Sequence, residues 1–184
     1  MCYDGEIKTR FAMGTNQRRQ IVTKRKLSPW LIVFRVLFTL LTIVLITFIF
    51  KRSLQNGTAS QQESQRVLVL VQAKLSQFTN RELSMHFVRK LAHFTEYTAL
   101  GFLLQMSLRV YTRHYIRHIS WPLLSGLAVA LADETIQLYT PGRSSSVLDV
   151  WLDFSGVCSG AFAALMVLTF FHMMSWFILQ DMED

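Results

Sequence analysis

The sequence predicts an all-α integral membrane protein, a bundle of four transmembrane helices with an extracytoplasmic loop after the first. The chain has 184 residues, of which 51% are hydrophobic and only 17% are charged. Soluble domains usually carry about 25% charged residues, and apolar runs of about 18 residues or more are typical of membrane spans. Runs of this kind occupy residues 30–50, 91–111, 119–139 and 150–172.

The positions of the basic residues predict the orientation of these spans, because Lys and Arg are retained on the cytoplasmic side. One basic group precedes the first span and another surrounds the link between the second and third. Both termini are therefore predicted in the cytoplasm, and the loop 51–90 and the turn at Pro141 outside. The outer loop is also basic, but long loops have less weight in this rule. The two groups are Arg18, Arg19, Lys24, Arg25 and Lys26, then Arg109, Arg113 and Arg117.

Three parts of the chain follow from this orientation. Residues 1–29 form a basic cytosolic lead in which Met13 is an alternative start, residues 30–179 form the four-span domain, and residues 180–184 form an acidic tail. The net charge of +7 is explained by membrane orientation, so the predicted partner is the lipid bilayer and no nucleic acid is expected. The predicted location is the cell membrane.

The outer loop 51–90 begins with the polar segment "KRSLQNGTASQQESQ", which predicts irregular structure. Residues 66–78, "RVLVLVQAKLSQF", then predict a short helix or strand at the membrane surface, since neither period nor length decides between them.

The second span begins with "RKLAHFTEYTALGFLL", in which Lys90, His93, Tyr97 and Gly101 share one helix face at spacings of three or four residues. The third span ends in "ADETIQLYTPGR", where Pro141 and the glycine after it stop the helix.

The fourth span begins after that turn. Ser146 is predicted to be its N-cap, with Asp149 at the third position as in a capping box. The spacing of Gly156 and Gly160 permits a neighbouring helix to approach closely.

The predicted topology brings polar side chains from three spans together at the outer membrane face. Five of the twelve acidic residues of the chain are among them. Because an acid at the centre of a span costs about 2.5–3.5 kcal/mol, packing alone does not explain this concentration. The sequence therefore predicts a polar binding site. Its residues are His93, Glu96, Asp133, Glu134, Gln137, Arg143, Asp149 and Asp153.

Structural roles compete with binding for several of these residues. Asp149 could only cap a helix, and Arg143 could only pair with Asp149 or Asp153 and fix the turn. His93 could be a hydrogen-bonded packing residue. The group as a whole is harder to explain this way, because its few basic residues cannot neutralise five carboxylates.

At these residues the chain resembles the VanZ-like family of small bacterial membrane proteins, associated with teicoplanin resistance. The resemblance is carried by HxxEY, DExxQ, PGR, DxxxD and GxxxG in order, over about 140 residues from the first span to the fourth. Residues 1–29 lie outside it. The resemblance implies a cell-envelope role and tolerance of glycopeptides, and it supplies no mechanism.

Three functions compete. The first is an accessory protein that binds an anionic envelope lipid, a cell-wall precursor or a lipoglycopeptide, with Arg143, Lys90 and Arg89 meeting the anion. The second is a membrane hydrolase or transferase acting on a lipid-linked phosphate, with carboxylates as general acid or base. The third is proton-coupled transport. The sequence names no catalytic residue, and it leaves a bound metal or other cofactor undecided.

Overall fold

The computed structural model describes residues 28–75, 84–112, 114–143 and 145–180. The predictions for the basic lead and for the acidic tail fall outside these residues. Within them the chain is all-α. Its helices are α1 (Pro29–Ser53), α2 (Gly57–Leu75), α3 (Met85–Tyr111), α4 (Ser120–Leu138) and α5 (Val147–Gln180). The chain divides into two compact units, residues 1–33 and 34–184, and all the candidate site residues belong to the second.

Helix α1 begins with Pro29, whose fixed φ and missing N–H suit the first helical position. Within the second unit it contacts α3 at two places and runs antiparallel to it. Arg35 donates from Nε to the carbonyl oxygen of Val110 at 2.9 Å, and Arg52 forms an ion pair with Glu96. Arg35 thereby meets the last turn of α3, where backbone carbonyl groups lack helical partners.

The polar segment after α1 is not irregular as predicted, because residues 57–75 form helix α2. Its first turn contacts the distant turn at Pro141: Gly57 donates its N–H to the Pro141 carbonyl oxygen at 3.1 Å. Gly142 has a φ of +73° and lies against Gly57, a conformation that glycine adopts without strain. The sequence did not show this tertiary contact, and the low hydrophobicity of the segment suggested a loop instead.

Helices α3 and α5 run parallel and form the most extensive helix contact of the described residues. Glycines make this approach possible. A side chain at Gly160 would overlap the Thr98 carbonyl oxygen, and a Cβ at Gly156 would lie 2.7 Å from the Phe94 carbonyl oxygen. Gly101 meets the α5 backbone in the same way. The GxxxG prediction is therefore confirmed as a backbone-to-backbone contact.

The second unit buries many polar side chains and exposes many large apolar ones, which is the reverse of the usual pattern in a soluble protein. Buried residues include Gln105, Gln137 and Asp153, beside a small apolar core. Large apolar side chains of α1, α4 and α5 are exposed instead, among them Leu40, Leu124, Leu131, Phe162 and Phe170. An exposed apolar surface of this extent is typical of contact with lipid.

In the part of the chain that the structure describes, two helices, α1 and α5, are long and apolar enough to cross a membrane. At 34 residues, α5 would extend about 51 Å at 1.5 Å per residue, further than the predicted span 150–172. The other helices of the predicted bundle, α3 and α4, carry five of the eight candidate site residues and are not apolar enough by the same measure. Four spans with an outer loop therefore remain a prediction.

Candidate functional site

The predicted polar residues converge because α3, α4 and α5 meet at one end. The start of α3, the end of α4 and the start of α5 surround a cavity of about 20 Å³, which is room for about one water molecule. Five of the eight predicted residues line this space. They are His93, Glu134, Gln137, Asp149 and Asp153, together with His86, Arg89, Lys90 and Leu152.

The parallel packing of α3 and α5 places one basic stripe against one acidic stripe. Lys90 Nζ lies 3.3 Å from Asp149 Oδ1. About one turn further, His93 Nδ1 lies 3.9 Å from Asp153 Oδ1, beyond hydrogen-bond distance. The face predicted on the second span is therefore the face that meets the fourth.

Glu96 does not line the cavity. It forms an ion pair with Arg52, which comes from the last turn of α1. Both side chains are largely shielded from solvent, at 28% exposed for Arg52 and 16% for Glu96. This pair joins α1 to α3. The partner of Glu96 is therefore not one of the eight residues of the predicted binding site.

Arg143 pairs with neither Asp149 nor Asp153, so the structural alternative of an ion pair at the turn is wrong. Its Nη1 donates to the Ser60 hydroxyl at 2.7 Å, and its Nη2 reaches the Arg52 carbonyl oxygen at 3.5 Å. Burial, followed by the charge of Arg89, lowers the pKa of Arg143. The guanidinium joins the turn to α1 and α2, and it does not line the cavity.

Asp149 does not complete the predicted capping box. Ser146 is the N-cap, since its hydroxyl accepts from Leu148 N at 3.2 Å. Its own N–H, however, donates to Glu134 Oε2 at 3.0 Å. A carboxylate from α4 has taken the position of the expected one, because Lys90 attracts Asp149 away from the helix start.

We expect Glu134→Leu to destabilise the protein by about 1–3 kcal/mol, the cost of leaving the Ser146 N–H without its acceptor. Glu134→Gln is the matched control, since its amide oxygen still accepts this hydrogen bond. Thermal unfolding of the purified variants measures the difference. Equal melting temperatures for the two variants would show that the cap contributes nothing.

Asp133 and Gln137 lie one turn apart in the buried part of α4. Gln137 Nε2 donates to Asp133 Oδ2 at 3.0 Å. Asp133 is 1% exposed, as is Asp153. Together with His93 they form a group that could hold a metal ion, since one ligand atom of each lies within 4.8 Å of the others.

Sequence reasoning missed His86 and Arg52 as parts of this region. His86, Lys90 and His93 are spaced four and three residues apart, so they follow one helix face, and this spacing could have identified His86. Arg52 had no comparable signal, because its contact with Glu96 joins residues 44 positions apart.

A second, larger space lies beside the cavity, between α1, α2 and α3. This basic groove has a volume of about 460 Å³. Its walls are partly apolar, and four of its side chains are cationic. The groove is lined by Phe48, Lys51, Arg52, Gln55, Ser64, Arg66, Val67, Val88, Arg89 and Ala92. Arg89 lines both the cavity and the groove.

Comparison with known proteins gives one match. The sequence matches the family described as VanZ/LLP1 over residues 38–173, a range that contains all eight predicted site residues. No match was found among curated proteins or among solved structures.

Proposed function

Since the chain belongs to the VanZ/LLP1 family, we propose that it is a multi-pass cell-envelope membrane protein that binds an anionic, lipid-linked ligand and contributes to teicoplanin tolerance. The ligand is an envelope lipid, a cell-wall precursor or the lipoglycopeptide itself. In this proposal both termini are cytoplasmic, and the basic groove opens at the outer face.

The observation that carries this proposal is the combination of charge and apolar surface in the basic groove. Its volume of about 460 Å³ is typical of small-molecule sites, which measure about 300–1,000 Å³. Phe48 and Val88 supply apolar wall, while Lys51, Arg66 and Arg89 supply positive charge. Such a groove suits an acyl or prenyl chain joined to a phosphate or carboxylate.

The arginines of the groove suit the anion better than Arg143 does. Arg143 is committed to Ser60 and to the Arg52 carbonyl oxygen. Arg89 forms no ion pair in the part of the chain that the structure describes, and Arg66 is exposed. A guanidinium binds phosphate or carboxylate through two parallel hydrogen bonds, so we assign the anion to Arg66 and Arg89.

Asp149 has a positioning role in this proposal. Asp149 holds Lys90 at 3.3 Å, close to Arg89 in the chain. Lys90 remains 45% exposed and can therefore turn toward an anion at the mouth of the cavity. The polar site predicted from the sequence then supports the cations and need not itself enclose the ligand.

The test is the double variant Arg66→Gln, Arg89→Gln, measured for binding of undecaprenyl phosphate by the purified protein and for teicoplanin tolerance of cells. A charged hydrogen bond contributes about 1.5–3 kcal/mol, so we expect binding to weaken by about tenfold or more and tolerance to fall. Arg117→Gln is the control, since this exposed cation lies in the link between α3 and α4.

Membrane abundance must be equal among the variants for the comparison to count. The proposal is wrong if the double variant binds the lipid and protects cells as the unchanged protein does. Equal losses in the double variant and in Arg117→Gln would also contradict it, because net charge alone would then explain the effect.

The enzymatic alternative, hydrolysis or transfer at a lipid-linked phosphate, is favoured by the proximity of His93, Asp133 and Asp153. Incubation of the purified protein with polyprenyl diphosphates, with and without added divalent metal, tests it. Release of phosphate that Asp153→Asn abolishes would favour catalysis over binding.

A further inference from the structure

We propose that His93, Asp133 and Asp153 bind one divalent metal ion of the Mn²⁺ or Zn²⁺ class. The three side chains come from α3, α4 and α5, so the site is complete only in the folded chain. One ligand atom from each lies within 4.8 Å of the others. This inference is independent of the ligand proposed for the basic groove, because none of the three residues lines that groove.

The first argument is the burial of carboxylate oxygens that lack partners. Asp133 and Asp153 are each 1% exposed. Among the described residues, Asp133 Oδ1 and both carboxylate oxygens of Asp153 accept no hydrogen bond. Burial of an ionised carboxylate is costly unless it is paired or bound to a metal, and two carboxylates at one site add mutual repulsion.

The second argument is that the basic side chains of the described residues form no ion pair with these two carboxylates. Arg52 pairs with Glu96, and Lys90 pairs with Asp149. In residues 28–75, 84–112, 114–143 and 145–180, no Lys or Arg forms an ion pair with Asp133 or Asp153. A bound divalent cation would supply the missing positive charge.

The third argument is the orientation of Asp133. Gln137 Nε2 donates to its Oδ2 at 3.0 Å, whereas its Oδ1 accepts no hydrogen bond from the described residues. Outer hydrogen bonds of this kind fix the ligands of metal sites. Gln137 is itself buried, so its amide is part of the same preformed arrangement.

The donor set points to the class of ion. One imidazole nitrogen with two carboxylates favours Mn²⁺ or Zn²⁺ over Ca²⁺, which takes oxygen ligands. Metal bonds of about 2.1 Å place neighbouring ligand atoms about 3–4 Å apart, so the three side chains need to close slightly on the ion. His93 and Asp153 also line the cavity, where a water molecule can complete the coordination.

The experiment measures metal directly in the purified full-length protein. After chelation, Mn²⁺ or Zn²⁺ is returned, and metal content and melting temperature are determined. We expect one ion per chain, and a rise of about 5–10 °C when the metal is at about 100 times its Kd. Asp153→Asn should weaken metal binding by about 100-fold or more, since even the loss of an outer-shell partner costs about 10- to 100-fold.

Asp149→Asn is the matched control, because Asp149 lies one turn before Asp153 on the same helix and outside the three ligands. Its metal affinity should stay within a few-fold of the unchanged protein. Asparagine has nearly the shape of aspartate, and the melting temperature of each metal-free variant reports whether it is folded.

The inference is overturned if the unchanged protein takes up neither ion, in which case the two carboxylates share a proton instead. Equal loss of metal in both variants would overturn it too, since a general acidic surface would then bind the ion. Bound Mn²⁺ should also show nitrogen coupling in pulsed electron paramagnetic resonance, and His93→Gln should remove that signal. Failure to bind lipid at the groove would not affect these measurements.

Discussion

Replacement of Gly160 by Leu is expected to abolish accumulation of the folded protein in the membrane. The new Cβ would overlap the Thr98 carbonyl oxygen and lie 2.7 Å from the Phe102 backbone nitrogen. Both neighbours are backbone atoms of α3, so they cannot move aside as a flexible side chain could. Insertion of extra carbons into a packed core typically costs about 1–3 kcal/mol, and here the two helices must separate.

Ser159→Leu is the control for this substitution. Ser159 precedes Gly160 on the same helix and is exposed. The larger leucine side chain at this position would therefore contact the surroundings and not α3. Membrane abundance and melting temperature in detergent are the measurements. Similar abundance of the two variants would contradict the close helix contact described for α3 and α5.

Reversal of one charge in the Arg52–Glu96 pair is expected to have the second largest effect. Removal of one partner from a fully buried pair costs about 3–5 kcal/mol, and the partial exposure of this pair lowers that to about 2 kcal/mol. Glu96→Arg adds repulsion between the two guanidinium groups. We therefore expect a marked fall in melting temperature and looser packing of α1 on α3.

The charge swap, Arg52→Glu with Glu96→Arg, separates the ion pair from other effects of the substitutions. Attraction between the two positions is restored in the swap, so it should recover much of the lost stability. A double-mutant cycle from thermal unfolding gives the coupling between the positions. A coupling near zero would mean that the contact does not hold α1 in place.

The sequence placed eight polar residues in one group, but the predictions made above assign them different roles. Glu96 and Arg143 join α1 and α2 to the rest of the second unit. Glu134 caps α5. Of the acids, Asp133 and Asp153 are left to hold an ion, while Asp149 positions Lys90. The anion is assigned to cations of the groove.

Much of the site was already determined by the sequence. Apolar runs predicted the helices at 29–53, 85–111, 120–138 and 147–180 to within a few residues, except at the start of the second of these and the end of the last. The alternation of span directions predicted that the acids of α4 and α5 would meet His93 at one end. Helical spacing also predicted the stripe on α3 and the glycine contact on α5, because a period of 3.6 residues fixes which side chains share a face.

Only the tertiary structure decided which side chains are partners. Helical periodicity gives the face and the depth of a residue, but it does not give the rotation of one helix against another. The sequence therefore did not decide whether Arg143, in the turn after α4, meets Asp149 or Ser60. Nor did it decide whether Glu134 or Asp149 reaches the Ser146 N–H. Helix α2 could not be predicted for a similar reason, because its polar sequence has little hydrophobic periodicity. Its contact with the turn at Pro141 also joins residues that are distant in the chain.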